Sequence, residues 1–106
     1  MLDCEAAGKL TMPALRMAVA RNLTEKHGMS QKEVAVLLGI RQASVSNYSR
    51  SKKSDKIAKL GELVLRMGFE KRIVDMALSG KSRKSIAKEI ERVASDRRLV
   101  RFAAAL

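Results

Sequence analysis

Cysteine, histidine, proline and aromatic residues are all scarce in this chain, and each scarcity excludes a class of structure or chemistry. Aromatic residues make up 3% of the 106 residues and tryptophan is absent, so the hydrophobic core must be aliphatic. The single cysteine, Cys4, cannot form an internal disulfide, which favours a reducing compartment. No apolar run reaches the length of about 18 residues that a membrane span needs. The N-terminal stretch MLDCEAAGKL carries acids before any apolar segment, unlike a secretory signal, so we expect a cytoplasmic protein.

The same scarcity argues against an enzyme. His27, the only histidine, stands beside Gly28 at the expected end of a helix, where a contact with the helix dipole explains it. Cys4 has no histidine near it in the sequence. The GKS segment at 80–82 lacks the earlier glycine and the preceding strand of a phosphate-binding loop. We therefore expect no catalytic residue, no metal site and no cofactor.

Basic residues, by contrast, are abundant. The chain carries 22 Lys and Arg against 11 Asp and Glu, for a formal net charge of +11. Such an excess repels itself unless an anionic partner relieves it. Nucleic acid is the first candidate partner, and an anionic membrane surface is the second.

Aliphatic residues recur at helical spacing along most of the chain, and no stretch alternates with the period of a strand. The sequence therefore predicts an all-α protein of about six helices. Pro13 is expected to begin the first helix, and His27–Gly28 to end it. The later helices are predicted at about 31–38, 42–49, 57–67, 70–78 and from 82 to the C-terminus.

The stretch from 30 to 48 has the residue types of a helix-turn-helix. Ser30 and Glu33 form the pattern of a capping box, and Gly39 suits a turn with positive φ. Ala35 allows two helices to cross closely, and Val45 anchors the second helix against the first. The predicted core of the motif comprises Val34, Ala35, Leu38, Gly39, Ile40, Val45 and Tyr48.

The segment SQKEVAVLLGIRQASVSNYSR resembles the helix-turn-helix of the λ-repressor-like (Cro and XRE type) DNA-binding family. The N-terminal run with PALRMAVARNLTEKHGMSQKEVAVLLGI is similar, more narrowly, to predicted archaeal transcriptional regulators. Some of those relatives carry cysteine pairs after the domain, which this chain lacks, so no metal-linked role is transferred. The resemblance implies a four- or five-helix bundle that binds specific double-stranded DNA, often as a dimer, and it does not identify the effector.

This resemblance divides the chain into three predicted parts and places the DNA contacts. We expect an N-terminal arm at 1–10, the helix-turn-helix domain at 11–67 and a C-terminal helical extension at 68–106. The extension is basic between 81 and 101, so it could form a second phosphate-binding surface, a solvated helix face or a dimer contact. The helix at 42–49 would enter the major groove. Its outward side chains, predicted to contact bases, are Gln42, Ala43, Ser46 and Asn47. Predicted phosphate contacts are Gln31, Lys32, Arg41, Ser44, Arg50, Lys52 and Lys53.

Two questions stay open at this point. The apolar residues of the last segment, which include Ile86, Ile90 and Val93, could pack back on the domain or form a dimer seam, and we favour a homodimer built by the segment after residue 55. A protein-interaction module of helix-turn-helix type, such as an antitoxin or adaptor, is the alternative function. RNA binding is a weaker one, because so few aromatic residues are available to stack on bases.

Overall fold

Helices form nearly all of the regular structure of this chain. A computed structural model describes the backbone of residues 3–49 and 56–106, with side chains from 9–48 and 56–106. These ranges contain seven α-helices and no strand, so the predicted all-α class is confirmed. None of the helices described there is both long and apolar enough to cross a membrane. The helices are α1 (Asp3–Arg21), α2 (Gln31–Leu38), α3 (Gln42–Ser49), α4 (Lys56–Met67), α5 (Lys71–Leu78), α6 (Arg83–Ala94) and α7 (Arg97–Ala104).

Helix α1 begins earlier than predicted. It starts at Asp3, so Pro13 lies inside the helix, and residues 3–10 belong to α1 rather than to an arm. A proline in a helix interior removes one backbone hydrogen bond. Thr11 is fully buried, and Leu10 and Met12 pack against the core, so burial in these turns offsets that loss.

The end of α1 widens into a π-helical segment at Asn22–Lys26. The hydroxyl of Thr24 donates to the carbonyls of Ala20 at 2.9 Å and Arg21 at 3.3 Å, which disturbs the regular ladder of backbone bonds. In the same segment the buried Asn22 donates from Nδ2 to Glu70 Oε2 at 3.0 Å. Glu70 precedes α5, so this bond links the segment that follows α1 to the start of α5.

Helix α1 is the centre of the hydrophobic core. Leu15, Val19 and Leu23, which the sequence predicted on one apolar face, are all fully buried. Helix α1 packs chiefly against α4 and α7. Gly61 permits the close approach of α4, because a Cβ there would come within 2.8 Å of the buried Met17 Sδ.

The last predicted helix is two helices. The helix is interrupted at Ser95 and Asp96. The Asp96 carboxylate accepts a hydrogen bond from the Arg98 backbone N–H at 2.9 Å and so caps α7. Because this cap satisfies one backbone donor at the start of α7, a new helix can begin directly after α6.

The segment after residue 68 shares the core of the preceding helices. Ile86, Ile90 and Val93 are buried in one cluster with α1 residues, so these apolar positions pack back on the fold. Leu99 of α7 is fully buried as well. The open question about these side chains is thereby answered, whereas the predicted dimer stays a prediction.

Candidate nucleic-acid interface

Helix α2 begins with the predicted capping box. The Ser30 hydroxyl accepts from the Glu33 N–H at 3.1 Å, and the Glu33 carboxylate accepts from the Ser30 N–H, also at 3.1 Å. Hydrogen bonding to the Glu33 carboxylate from Ser30, first from its backbone N–H and then from its side chain, lowers the pKa of Glu33. The box fixes the start of α2 at Gln31, so Gln31 and Lys32 lie exposed in its first turn.

The turn between α2 and α3 depends on Gly39. Its φ of 66° lies in the left-handed region, which strains any residue with a Cβ. The backbone N–H of Ile40 donates to the Ala35 carbonyl at 3.0 Å, and that of Gly39 donates to Val36 at 3.2 Å. These bonds close α2 in a Schellman-type arrangement and turn the chain directly into α3.

A small apolar core holds α2 and α3 together. Val34 is fully buried, and Ala35 and Val45 are 5% and 4% exposed. The partly buried side chains that pack against this core are Leu38, Ile40 and Tyr48. All the residues that the sequence assigned to the core of the motif, apart from the turn glycine, therefore lie in or against one apolar cluster.

Tyr48 closes this core on the side of α1. Burial raises the pKa of its hydroxyl, and the positive charge of Arg16 opposes that effect. Tyr48 also lines a small cavity of about 90 Å³ beside Gln31. Gln31, a predicted phosphate contact, is therefore held near the inward face of α3 while its own side chain stays exposed.

The outward face of α3 contains the predicted base-reading side chains. Gln42, the first residue of the helix, is exposed, as are Ala43 and Asn47, and Ser46 is half-buried. The carbonyl of Arg41 accepts from the Ser44 N–H at 3.0 Å and so begins the helix. With Val45 directed into the core, Ala43 and Asn47 lie on the far side of the helix, and Gln42 is exposed at its start.

The predicted phosphate contacts divide into two groups. Gln31, Lys32 and Arg41 are exposed beside α3, and Ser44 is half-buried on it. The remaining three predicted contacts lie outside the described residues: Arg50, Lys52 and Lys53.

A groove of about 540 Å³ is lined by residues of α2, of the turn and of α3, and also by a residue of α6. Its floor is apolar and its rim is cationic, with no acid among its lining residues: Lys32, Ala35, Val36, Gly39, Ile40, Arg41, Gln42 and Arg83. The Nη2 atom of Arg83 lies 3.3 Å from the point that a Cβ on Gly39 would occupy.

Arg83 belongs to the basic segment 81–101, but the sequence did not single it out from the other cations there. The Ser82–Ser85 hydrogen bond at 3.2 Å places it at the first position of α6, and a cap at Ser82 can be read from the sequence. The packing of α6 on α2 cannot be read from the sequence, because the spacing of apolar residues does not specify which helices pack together. Within the residues described, no group of three or more His, Cys, Asp or Glu side chains could hold a metal ion.

Comparison with known proteins adds no relative to this description. No family model, curated protein or solved structure matches the chain significantly.

Proposed function

We propose that this chain is a sequence-specific double-stranded DNA-binding transcriptional regulator with a λ-repressor-like arrangement, in which α3 enters the major groove. The observation that carries the proposal is the pairing of α2 and α3 around the Gly39 turn. That pairing buries Val45 and leaves Gln42, Ala43 and Asn47 exposed on one surface. A short helix presented in this way fits a groove about 12 Å wide.

The exposed side chains have the chemistry for reading base edges. The amides of Gln42 and Asn47 can each pair with N6 and N7 of adenine, and Ala43 can contact a thymine methyl group. Ser46 can donate to or accept from either kind of base pair. The side chains on α3 from Gln42 to Asn47 carry no charge, so base readout and charge attraction come from different residues.

The surrounding charge supplies the attraction to phosphate. Lys32 and Arg41 flank the start of α3, and the whole chain carries a net charge of +11. Contacts between such residues and phosphate make affinity depend on salt but not on sequence. We therefore expect α3 to select the DNA sequence and the flanking cations to supply most of the affinity.

A homodimer is part of the proposal. One helix in one major groove offers limited affinity, and a two-fold dimer reads two half-sites about 34 Å apart. Met67 and Leu78, which are 50% and 49% exposed, give the segment after residue 55 apolar surface for such a contact. A mass that stays monomeric at micromolar concentration, with and without DNA, would exclude this dimer.

The experiment that tests the proposal is a mobility shift with three labelled probes of equal length across a KCl series. The probes are a random duplex, single-stranded DNA and single-stranded RNA. We expect the duplex to bind most tightly, with an affinity that falls steeply with salt. Preference for RNA would favour the RNA-binding alternative, and no shift with any probe would favour a protein-interaction module.

A further inference from the structure

Three separate parts of the chain bring a cation to the groove beside Gln42. Lys32 comes from the first turn of α2, Arg41 from the turn before α3, and Arg83 from the first turn of α6. The other residues that line the groove are apolar or uncharged, and no acid is among them. Within the described residues, none of the three forms an ion pair.

The start of α6 concentrates positive charge where a helix disfavours it. Lys81, Arg83 and Lys84 are all exposed at or just before its first turn, which contains no acid. A helix N-terminus is already electropositive, so cations there are unfavourable, most of all at low salt. Helix α7 provides the contrast, because Asp96 caps it and forms an ion pair with Arg98 at 3.4 Å.

We infer that the first turn of α6 forms part of the DNA interface, with Arg83 joining Lys32 and Arg41 to hold the phosphodiester backbone beside the recognition helix. The inference rests on the proposed function, and it adds a DNA contact outside the helix-turn-helix. An anion in the groove would relieve the repulsion among the cations and the unfavourable charge at the start of α6. Duplex DNA is the occupant that fits, because the lining of the groove includes Gln42, the first residue of the helix proposed to read bases.

The Arg83 guanidinium is well placed for this role. It extends over Gly39, where the absence of a Cβ leaves it room, and it lies between the groove and a second hollow lined by Lys84. A bidentate guanidinium at this point can bind two oxygens of one phosphate. Lys84 adds a further cation on the side of that second hollow.

The test compares salt dependence of binding to one random duplex for the wild-type chain, Arg83→Ala and Arg101→Ala. Arg101 is a matched control, because it is an exposed arginine on α7 that is also replaced by alanine. We expect Arg83→Ala to lower the slope of log K against log[KCl] by about 0.9, the value for one phosphate contact. Arg101→Ala should leave the slope unchanged, and Arg83→Lys should restore most of it.

Each other outcome has a defined meaning. An unchanged slope for Arg83→Ala, or an equal decrease for Arg101→Ala, would overturn the contact at α6 and leave the proposed function standing. Failure of the wild-type chain to bind duplex DNA would overturn both. Thermal melting by circular dichroism accompanies each variant, and Arg83→Gln, which keeps the aliphatic stem over Gly39, replaces Arg83→Ala if that variant does not fold.

Discussion

Arg83 Nη2 stands 3.3 Å from the position that a Cβ on Gly39 would take, so α6 meets the helix-turn-helix at its turn. The contact explains why Gly39 has two roles. Its φ of 66° makes the turn, and its missing side chain leaves space for a cation from a distant part of the chain. The turn glycine therefore links the local geometry of the motif to the proposed phosphate contact.

Gly39→Ala tests the backbone part of this relationship. We expect the free energy of unfolding to fall by about 1–2 kcal/mol, the cost of a left-handed residue with a Cβ. Gly28→Ala is the matched control, because Gly28 has the same φ of 66° and nothing within 4 Å of its Cβ position. Urea unfolding should give similar costs for both variants, since the Arg83 guanidinium is the flexible end of an exposed side chain. If Gly39→Ala lowered the free energy of unfolding several times more than Gly28→Ala, the Arg83 side chain would not be free to move aside.

Gln42→Ala tests base reading by α3. Loss of a bidentate amide contact should weaken binding to a selected duplex by about 1–3 kcal/mol and leave binding to random duplex almost unchanged. Gln31→Ala provides the comparison, because a phosphate contact at the start of α2 should affect both duplexes equally. Equal losses on the two duplexes for Gln42→Ala, measured by fluorescence anisotropy, would remove its base-reading role.

The ion pairs of Glu89 predict a pH-dependent stability. Its carboxylate is 11% exposed and accepts from Arg72 Nε at 3.2 Å, which joins α5 to α6, and it is also bonded to Arg92. The hydrogen bond from Arg92, opposed by burial, gives Glu89 a pKa below its usual 4.5. The unfolded chain therefore takes up this proton first as the pH falls, so the stabilisation is complete above about pH 4.5 and is lost as the pH falls through the lowered folded value.

Glu89→Gln measures this contribution. At pH 7 we expect it to lower the free energy of unfolding by about 1 kcal/mol, a modest value because the arginine partners are largely exposed. Glu91→Gln, an exposed acid on the same helix, should have little effect. The difference between the two variants should shrink as urea unfolding is repeated at acid pH. A difference that persists unchanged there would show that charge at Glu89 does not contribute.

Substitutions of Asn22 and Glu70, which form a buried pair, should have different effects on the free energy of unfolding. Glu70 Oε1 and Asn22 Oδ1 have no hydrogen-bond partner among the described residues. Glu70→Gln adds a donor to this pair, so the free energy of unfolding at pH 7 should stay level or rise. Asn22→Ala removes the donor to Glu70 and should cost about 1–3 kcal/mol. Equal destabilisation by the two substitutions would contradict this reading of the pair.

Local signals in the sequence were sufficient for the bounds of α2 and α3 but not for the whole fold. The cap at Ser30 and the glycine at Gly39 are short-range features, and they placed α2 and α3 at the observed residues. The start of α1 was predicted at Pro13 because proline favours a first turn. Burial of Thr11 and its neighbours, which depends on distant helices, outweighed that preference.

The sequence likewise predicted part of the candidate site but not all of it. Gln42, Ala43 and Asn47 follow from the helical period of one segment, since Val45 must face inward. Arg83 follows only from the packing of α6 against α2, which no local pattern encodes. The break at Asp96 was missed because the apolar period continues through it, although aspartate is one of the preferred residues at a helix N-cap.

Selection of bound duplexes from a random pool tests the central claim most directly, because it reports sequence preference, symmetry and spacing together. The account predicts enrichment of a short site, repeated with two-fold symmetry at a spacing near 34 Å, and loss of preference at one position in Gln42→Ala. A pool that stays random after repeated selection, although the folded chain is present and retained, would contradict sequence-specific DNA binding by α3.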